Sequence, residues 1–364
     1  MTYKRYACTL LALALVLAIA TIAFWHSFTR PTFYEKDGHG DLARLASYDI
    51  PRPIATPPVD LGGTHEMLGD YFARGDTGTR DILVIGDSVS GGAGGSWWQD
   101  DLQARYGIET TTALRMLHGS DYTDVYQMAR LLLALGYIDQ LRPRCLVLEC
   151  GERMITRHFA SDIRPLPDWT RDHFEREVRA YRETTGRDIV PPYTLLSTTM
   201  GAANKAYIEN RLHERFVDGQ PTGDARHARL TIPTFSNPGW QHDLVYFVQD
   251  KEYLTMPHET AAVNATLNDL AADLRAHGTE LVLFVLPDKL DTYYPWLEDQ
   301  SFPPSPFFDE MAALPHDYAY IDTRTPLRQA VAAGTPDLYW CDDTHASYRA
   351  QRLLVDLLAP VLSK

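Results

Sequence analysis

Asp81-Ile82-Leu83-Val84-Ile85-Gly86-Asp87-Ser88-Val89-Ser90-Gly91-Gly92 carries an apolar run straight into a Gly-Asp-Ser turn and a glycine-rich loop. The run predicts a strand over 82–85, and the turn sets a serine where a nucleophile belongs. Outward from it the pattern alternates. A helix is expected over Trp98 to Tyr106, a strand over Glu109 to Met116, a helix over Tyr122 to Leu135 and a strand over Cys145 to Cys150. Strands alternating with helical stretches imply an α/β fold, a parallel sheet with crossover helices. Between about 154 and 256 the rhythm breaks into charged helical segments (Trp169 to Thr185), Pro191-Pro192 and the polar stretch Asp218 to His227, which reads as an insertion. It resumes with a helix over Ala261 to His277, strands at Glu280 to Leu286 and Tyr318 to Ile321, and a terminal helix over Ser347 to Leu362.

The 364 residues, 45% of them hydrophobic, are enough for one elaborated catalytic domain, expected over 80–364. A net charge of -14, with acids spread along the chain, excludes nucleic acid as an expected partner. Lys4 and Arg5 precede an uncharged apolar run from Ala7 to Trp25, long enough to span a bilayer. Residues 1–6 are thus expected to be a cytoplasmic tip, 7–28 a transmembrane signal anchor in the inner membrane, and the rest periplasmic. Ala18-Ile19-Ala20 resembles a cleavage site, but the apolar run continues past it, which favours an uncleaved anchor. Residues 29–79, rich in Pro, Gly and Asp, read as a stalk and approach segment.

Cys145 and Cys150 share one strand at an odd separation, so they point to opposite faces and cannot bond to each other. Cys150 and Cys341 either form an extracytoplasmic disulfide or stay buried and free, the latter being the commoner outcome. No spacing of Cys or His suggests zinc, and His118, His158 and His345 are not expected to assemble into a metal site.

In a parallel sheet, ligands bind beyond the carboxyl ends of strands, where Ser88 would lie. The helix that follows would turn its N-terminal N–H groups toward charge developing on an attacked carbonyl. Asp342-x-x-His345, just before the terminal helix, supplies a base and an orienting carboxylate, with Asp343 as a rival for the second role. Taken singly, each group is also explained as a turn or helix cap. The coincidence of both in a strand–helix alternation favours Ser-His-Asp catalysis.

These blocks resemble the SGNH (GDSL-type) hydrolase superfamily over roughly 80–153 and 260–362, with Ser88, Asp342 and His345 at the matching positions. The resemblance implies a three-layer α/β/α, flavodoxin-like sheet and acyl transfer through the serine without metal or cofactor. It also implies oxyanion donors at Ser88, at Gly119 in Leu117-His118-Gly119-Ser120, and after the third strand, where Arg153 stands in place of the family's Asn. Arg153 serves there either as a donor or in a salt bridge to Glu149, Glu152 or another acid. Leu286-Pro287-Asp288-Lys289 with Tyr293-Tyr294-Pro295-Trp296-Leu297, Phe235-Ser236, and Leu244-Val245-Tyr246-Phe247 followed by Asp250 look like segments of the AlgX/AlgJ-like branch of extracytoplasmic polysaccharide O-acetyltransferases. In the alginate enzymes of that branch the Asp-His pair precedes the serine, whereas here Ser88 comes first. What carries over is an anchored enzyme that acetylates an exported polysaccharide, with an acyl donor handed across the membrane by an MBOAT-type acyltransferase partner. Lys289, Tyr293 and Tyr294 either line a glycan groove or pack ordinarily, and Trp97-Trp98 reads as core. A carbohydrate esterase with the same triad and a non-catalytic glycan-binding or assembly subunit are the competing expectations.

Overall fold

The computed structural model describes residues 3–29, 40–56, 65–92, 96–114, 123–185 and 198–364. Eight strands form in chain order: β1 (Glu66–Met67), β2 (Ile82–Gly86), β3 (Thr111–Leu114), β4 (Cys145–Gly151), β5 (Ala225–Arg229), β6 (Asp243–Phe247), β7 (Glu280–Leu286) and β8 (Ala319–Ile321). Six of them make one parallel sheet in the order β1-β3-β2-β4-β7-β8. Setting aside the two-residue edge β1, the chain winds outward in both directions from β2, the doubly wound order 2-1-3-4-5. The reversal falls between β2 and β4, so the loops after these strands flank a crevice. Ser88 is two residues beyond the end of β2.

The aliphatic runs are buried because both faces of the sheet are covered. Ile82, Val84, Cys145, Val147, Val282 and Phe284 point to one side, where they pack with Trp98, Leu102, Leu354 and Leu358 from the helices Trp98–Tyr106 and Tyr348–Leu362. Leu83, Ile85, Leu146, Leu148, Leu281 and Leu283 point to the other, against Met128, Leu132, Leu267 and Leu274 of Val125–Ala134 and Thr260–Ala276. Each buried side chain of this size contributes about 1.5–3 kcal/mol of transfer free energy. Local chemistry fixes the ends. Asp124 and Gln127 form a reciprocal capping box, and Gly107, at φ 66°, ends the helix that begins at Trp98.

Between β4 and Thr260–Ala276 the chain inserts the helices Arg171–Thr185 and Thr198–His213 and the antiparallel pair β5–β6. Pro191-Pro192 lies outside the described residues. The helix Tyr3–Phe24 is apolar, exposed and long enough to cross a membrane.

The segment expected to be a stalk is in part core. Leu42, Ala43, Ala46, Tyr48 and Ile50 are buried with the first face of the sheet, Glu66–Met67 extends its edge, and Leu68, Tyr71 and Phe72 join the second face. The core therefore takes in residues 42–50 and 66–72, upstream of residue 80. Cys145 and Cys150 do face opposite sides, and Cys150 and Cys341 are free, because Cys341 lies in the core on the other side of the sheet from Cys150.

Candidate functional site

The nucleophile turn is built from β2 and β4 together. Asp87 Oδ1 accepts the Val89 N–H at 3.1 Å, Asp87 Oδ2 accepts the Gly151 N–H at 3.2 Å, and the Gly91 N–H closes the turn onto Asp87 O at 3.0 Å. Beneath it Glu149 is fully buried; its Oε2 accepts the N–H groups of Asp87 (3.0 Å) and Ser90 (3.2 Å) and the Ser90 hydroxyl (2.8 Å). Burial, reinforced by the Asp87 charge, pushes the Glu149 carboxyl well above the usual carboxylate range. A β-carbon on Gly86 would lie 2.2 Å from Ser90 Oγ and 2.7 Å from Glu149 Oε2, which is why the turn starts on glycine. These bonds leave Ser88 exposed at the tip.

Opposite it, the loop between Tyr339 and Ala346, paired to each other as an antiparallel bridge, brings His345. His345 Nε2 lies 2.9 Å from Ser88 Oγ, and His345 Nδ1 lies 2.5 Å from Asp343 Oδ1, which also accepts the His345 N–H at 3.0 Å. The orienting position therefore belongs to Asp343 and not to Asp342. The Asp342 carboxylate turns the other way and accepts the Gly40 N–H at 2.8 Å. Burial opposes charge on Asp343, yet the His345 cation and its hydrogen bonds hold the carboxyl well below its usual range. Burial likewise disfavours the His345 cation, but Asp343, then Asp41 and Asp87, outweigh it and raise its pKa above the ordinary value. Such a pair accepts a proton from a hydroxyl at Nε2 and stabilises it there.

Asp41 is a participant that the sequence did not reveal. Its carboxylate accepts the Thr344 N–H at 2.8 Å and the Thr344 hydroxyl at 2.7 Å, and stands 4.0 Å from His345 Nδ1. The Ala43 N–H donates to Asp342 O at 3.0 Å, so the segment after Gly40 braces the whole loop. A β-carbon on Gly40 would lie 2.3 Å from Asp342 O; close approach requires glycine here. Nothing local distinguishes Asp41 from the other acids of its Pro/Gly-rich surroundings. Glu149 did carry a signal, a lone acid inside the apolar run of β4. Among the described residues, the Asp41, Asp343 and His345 ligand-type atoms also lie within 4.8 Å of one another, a spacing compatible with a cation. In this structure they are engaged in the hydrogen bonds just described.

Two expected groove residues belong inside instead. Lys289 is 1% exposed, and its Nζ donates to the carbonyls of Trp340 (2.7 Å), Cys341 (2.9 Å) and Asp343 (3.1 Å). Burial lowers its pKa. Tyr293 is equally buried, and its hydroxyl accepts the Tyr339 N–H at 3.3 Å. Both hold the Tyr339–Ala346 loop from within the protein, through bonds to Tyr339, Trp340, Cys341 and Asp343. Arg153 pairs with Asp288 at 2.8 Å and Asp250 at 3.3 Å. Glu149 and Glu152, nearer in sequence, point instead to the nucleophile turn and to the Asp288 N–H. Its hydrogen bonds are thus those of an ion pair rather than of an oxyanion donor. Gly119 and His118 lie outside the described residues, and among the described residues nothing accepts the Ser88 backbone N–H. Trp98 is fully buried and donates its indole N–H to Ser90 Oγ at 3.2 Å, as expected of core.

Compared with protein-family models, with curated proteins and with solved structures, the chain finds no significant match.

Proposed function

We propose that this chain is a membrane-anchored, extracytoplasmic O-acyltransferase of the SGNH type that acetylates hydroxyls of an exported polysaccharide through an acyl-serine. The observation that carries the reading is the continuous alignment of Ser88 Oγ, both nitrogens of His345 and Asp343 Oδ1, at 2.9 and 2.5 Å. His345 Nε2 takes the Ser88 proton as Oγ attacks the donor's acyl carbonyl, and the oxyanion forms beside the Ser88 N–H. Collapse of the intermediate expels the donor's leaving group, protonated by His345. A sugar hydroxyl then enters, gives its proton to the same nitrogen and attacks the acyl-serine. The new ester departs and Ser88 recovers its proton.

The apolar helix at the N-terminus, with Lys4 and Arg5 before it, supports an inner-membrane anchor with the domain in the periplasm. Acyl-CoA is confined to the cytoplasm, so the donor has to be handed across the membrane, and the resemblance to the AlgX/AlgJ-like branch implies an MBOAT-type acyltransferase as the partner that does so. Holding both proteins in one membrane raises their effective concentration. The test is to incubate the full-length protein in detergent with an acetyl ester and candidate oligosaccharides, beside Ser88→Ala. Acetylated oligosaccharide and an acetylated peptide containing Ser88 are expected. Acetate release without sugar transfer assigns an esterase, and identical behaviour of wild type and Ser88→Ala refutes the serine mechanism.

A further inference from the structure

The helix Thr198–His213 and its continuation Glu214–Asp218 present three different faces. One seizes the end of the N-terminal apolar helix. Met200 and Ala203 pack on Trp25, with Ile22 against them. Asn204 accepts the Thr29 hydroxyl at 2.6 Å and donates to Thr21 O at 3.2 Å, and Tyr207 meets the Phe24 ring edge-on at 5.7 Å between centroids. The second face grips the segment that braces the catalytic loop. Asn210 donates to Leu45 O at 3.0 Å, Arg211 bonds Ser47 O, and Glu214 accepts the Tyr48 hydroxyl at 2.7 Å. The third face carries Ile208, Leu212 and Phe216, exposed by 43, 53 and 72%.

The height of this helix follows from helical rise. A hydrocarbon core of about 30 Å takes about 20 residues at 1.5 Å each. If Ala7 enters it, the core ends near Trp25, and indole rings favour that boundary. The contacts of Thr198–His213 fall on Thr21 to Thr29, astride the same level. Ile208, Leu212 and Phe216 recur every four residues and so line one side of the helix. Ile208 shares with Ala20 and Phe24 the walls of a groove of about 590 Å³, whose rim also holds the Lys205–Glu209 ion pair. Lys205, Arg211 and Arg215 balance Glu209, Glu214 and Asp218 in sign, so the occupant is apolar rather than a charged partner.

We propose that the stripe Ile208–Leu212–Phe216 lies in the lipid interface of the bilayer crossed by Ala7–Trp25, making Thr198–Asp218 an in-plane second attachment that fixes the height of the domain. The proposal rests on the membrane-anchor reading. To test it, single cysteines at Leu212 and Phe216, and as references at Leu13 and Glu252, are introduced into full-length protein carrying Cys8→Ser. Cys145, Cys150 and Cys341 are buried and escape labelling. The proteins are spin-labelled, reconstituted into phosphatidylcholine–phosphatidylglycerol vesicles, and compared for collisions with oxygen and with a water-soluble nickel chelate. The expected result is oxygen exceeding the chelate several-fold at Leu212→Cys and Phe216→Cys, as at Leu13→Cys, and the reverse at Glu252→Cys. Chelate access at 212 and 216 equal to that at 252, or shielding from both reagents as under a protein partner or second copy, overturns the proposal. In those cases lipid exposure at 13 leaves the anchor standing, whereas chelate access at 13 removes both.

Discussion

Asp343→Asn and Asp342→Asn separate two adjacent acids that the Asp-x-x-His pattern does not. Asp343 Oδ1 receives both the ring Nδ1–H and the backbone N–H of His345. An amide there keeps the shape but removes the charge facing the imidazolium that forms as Ser88 is deprotonated. Unit charges about 4 Å apart at an effective dielectric of about 20 interact by about 4 kcal/mol. A charge-assisted hydrogen bond taken alone contributes about 1.5–3 kcal/mol. A loss of about 3–4 kcal/mol corresponds to a fall of about 10²–10³-fold in kcat/KM, at 1.36 kcal/mol per tenfold. Asp342 has a different task, accepting the Gly40 N–H, and an amide oxygen still accepts that bond. Its replacement is worth less than about 1 kcal/mol, or under about fivefold. The assay is release of p-nitrophenol from its acetate ester by the full-length protein, with the melting temperature checked for each variant. A fall of 10² or more in Asp342→Asn, with Asp343→Asn near wild type, refutes the assignment.

Asp41→Asn removes a negative charge 4.0 Å from His345 Nδ1. Because that charge helps raise the His345 pKa, its loss lowers the pKa, and the acid limb of kcat/KM against pH moves to lower pH while the plateau falls; an unmoved limb assigns Asp41 a purely structural role. In wild type the limb itself lies above the ordinary histidine value of about 6.5, since the base works only when neutral. Lys289→Met leaves three loop carbonyls without their donor, at a cost of about 2–4 kcal/mol, and lowers the melting temperature by roughly 3–6 °C; a change within about 1 °C contradicts the bracing role. Dithiothreitol leaves the melting curve unchanged, and maleimide labelling of the denatured, unreduced chain modifies all four cysteines; two modified thiols reveal a disulfide.

Strands were legible where periodicity and boundary residues agree. Ile82–Gly86, Cys145–Gly151 and Glu280–Leu286 fall within a residue of their expected limits because each is an aliphatic run stopped by a loop former. Ser88 and His345 were legible for a related reason, each lying where a regular element ends or begins. The choice between Asp342 and Asp343 was open because it depends on Gly40, some 300 residues away in sequence. Lys289 and Tyr293 carry polar ends that suggest a surface, but the carbonyls and N–H group they bind belong to a remote loop, so burial satisfies rather than strands them. Leu42, Tyr48 and Ile50 lack any regular spacing, and only the sheet face they cover makes them core.

Ser88 and His345 lie 257 residues apart in the sequence, and the loop that carries His345 is held by bonds to residues 40–43. Gly40 holds the Asp342 carboxylate, Ala43 holds the same residue's carbonyl, and Asp41 holds Thr344, so two positions of the His345 loop are fixed from one upstream segment, while Asp343 between them bonds His345. A serine hydroxyl must meet its base within a few tenths of an ångström for proton transfer. Here the His345 loop is positioned by bonds to that segment, whose Asp41 also sets a negative charge 4.0 Å from His345 Nδ1. The same segment leans, through Leu45, Ser47 and Tyr48, on the helix that grips the end of the apolar N-terminal helix. The N-terminal apolar helix and the loop carrying His345 are therefore joined by a short chain of hydrogen-bonded contacts, and the core that positions Ser88 and His345 extends upstream to Gly40, well before the strand that precedes Ser88.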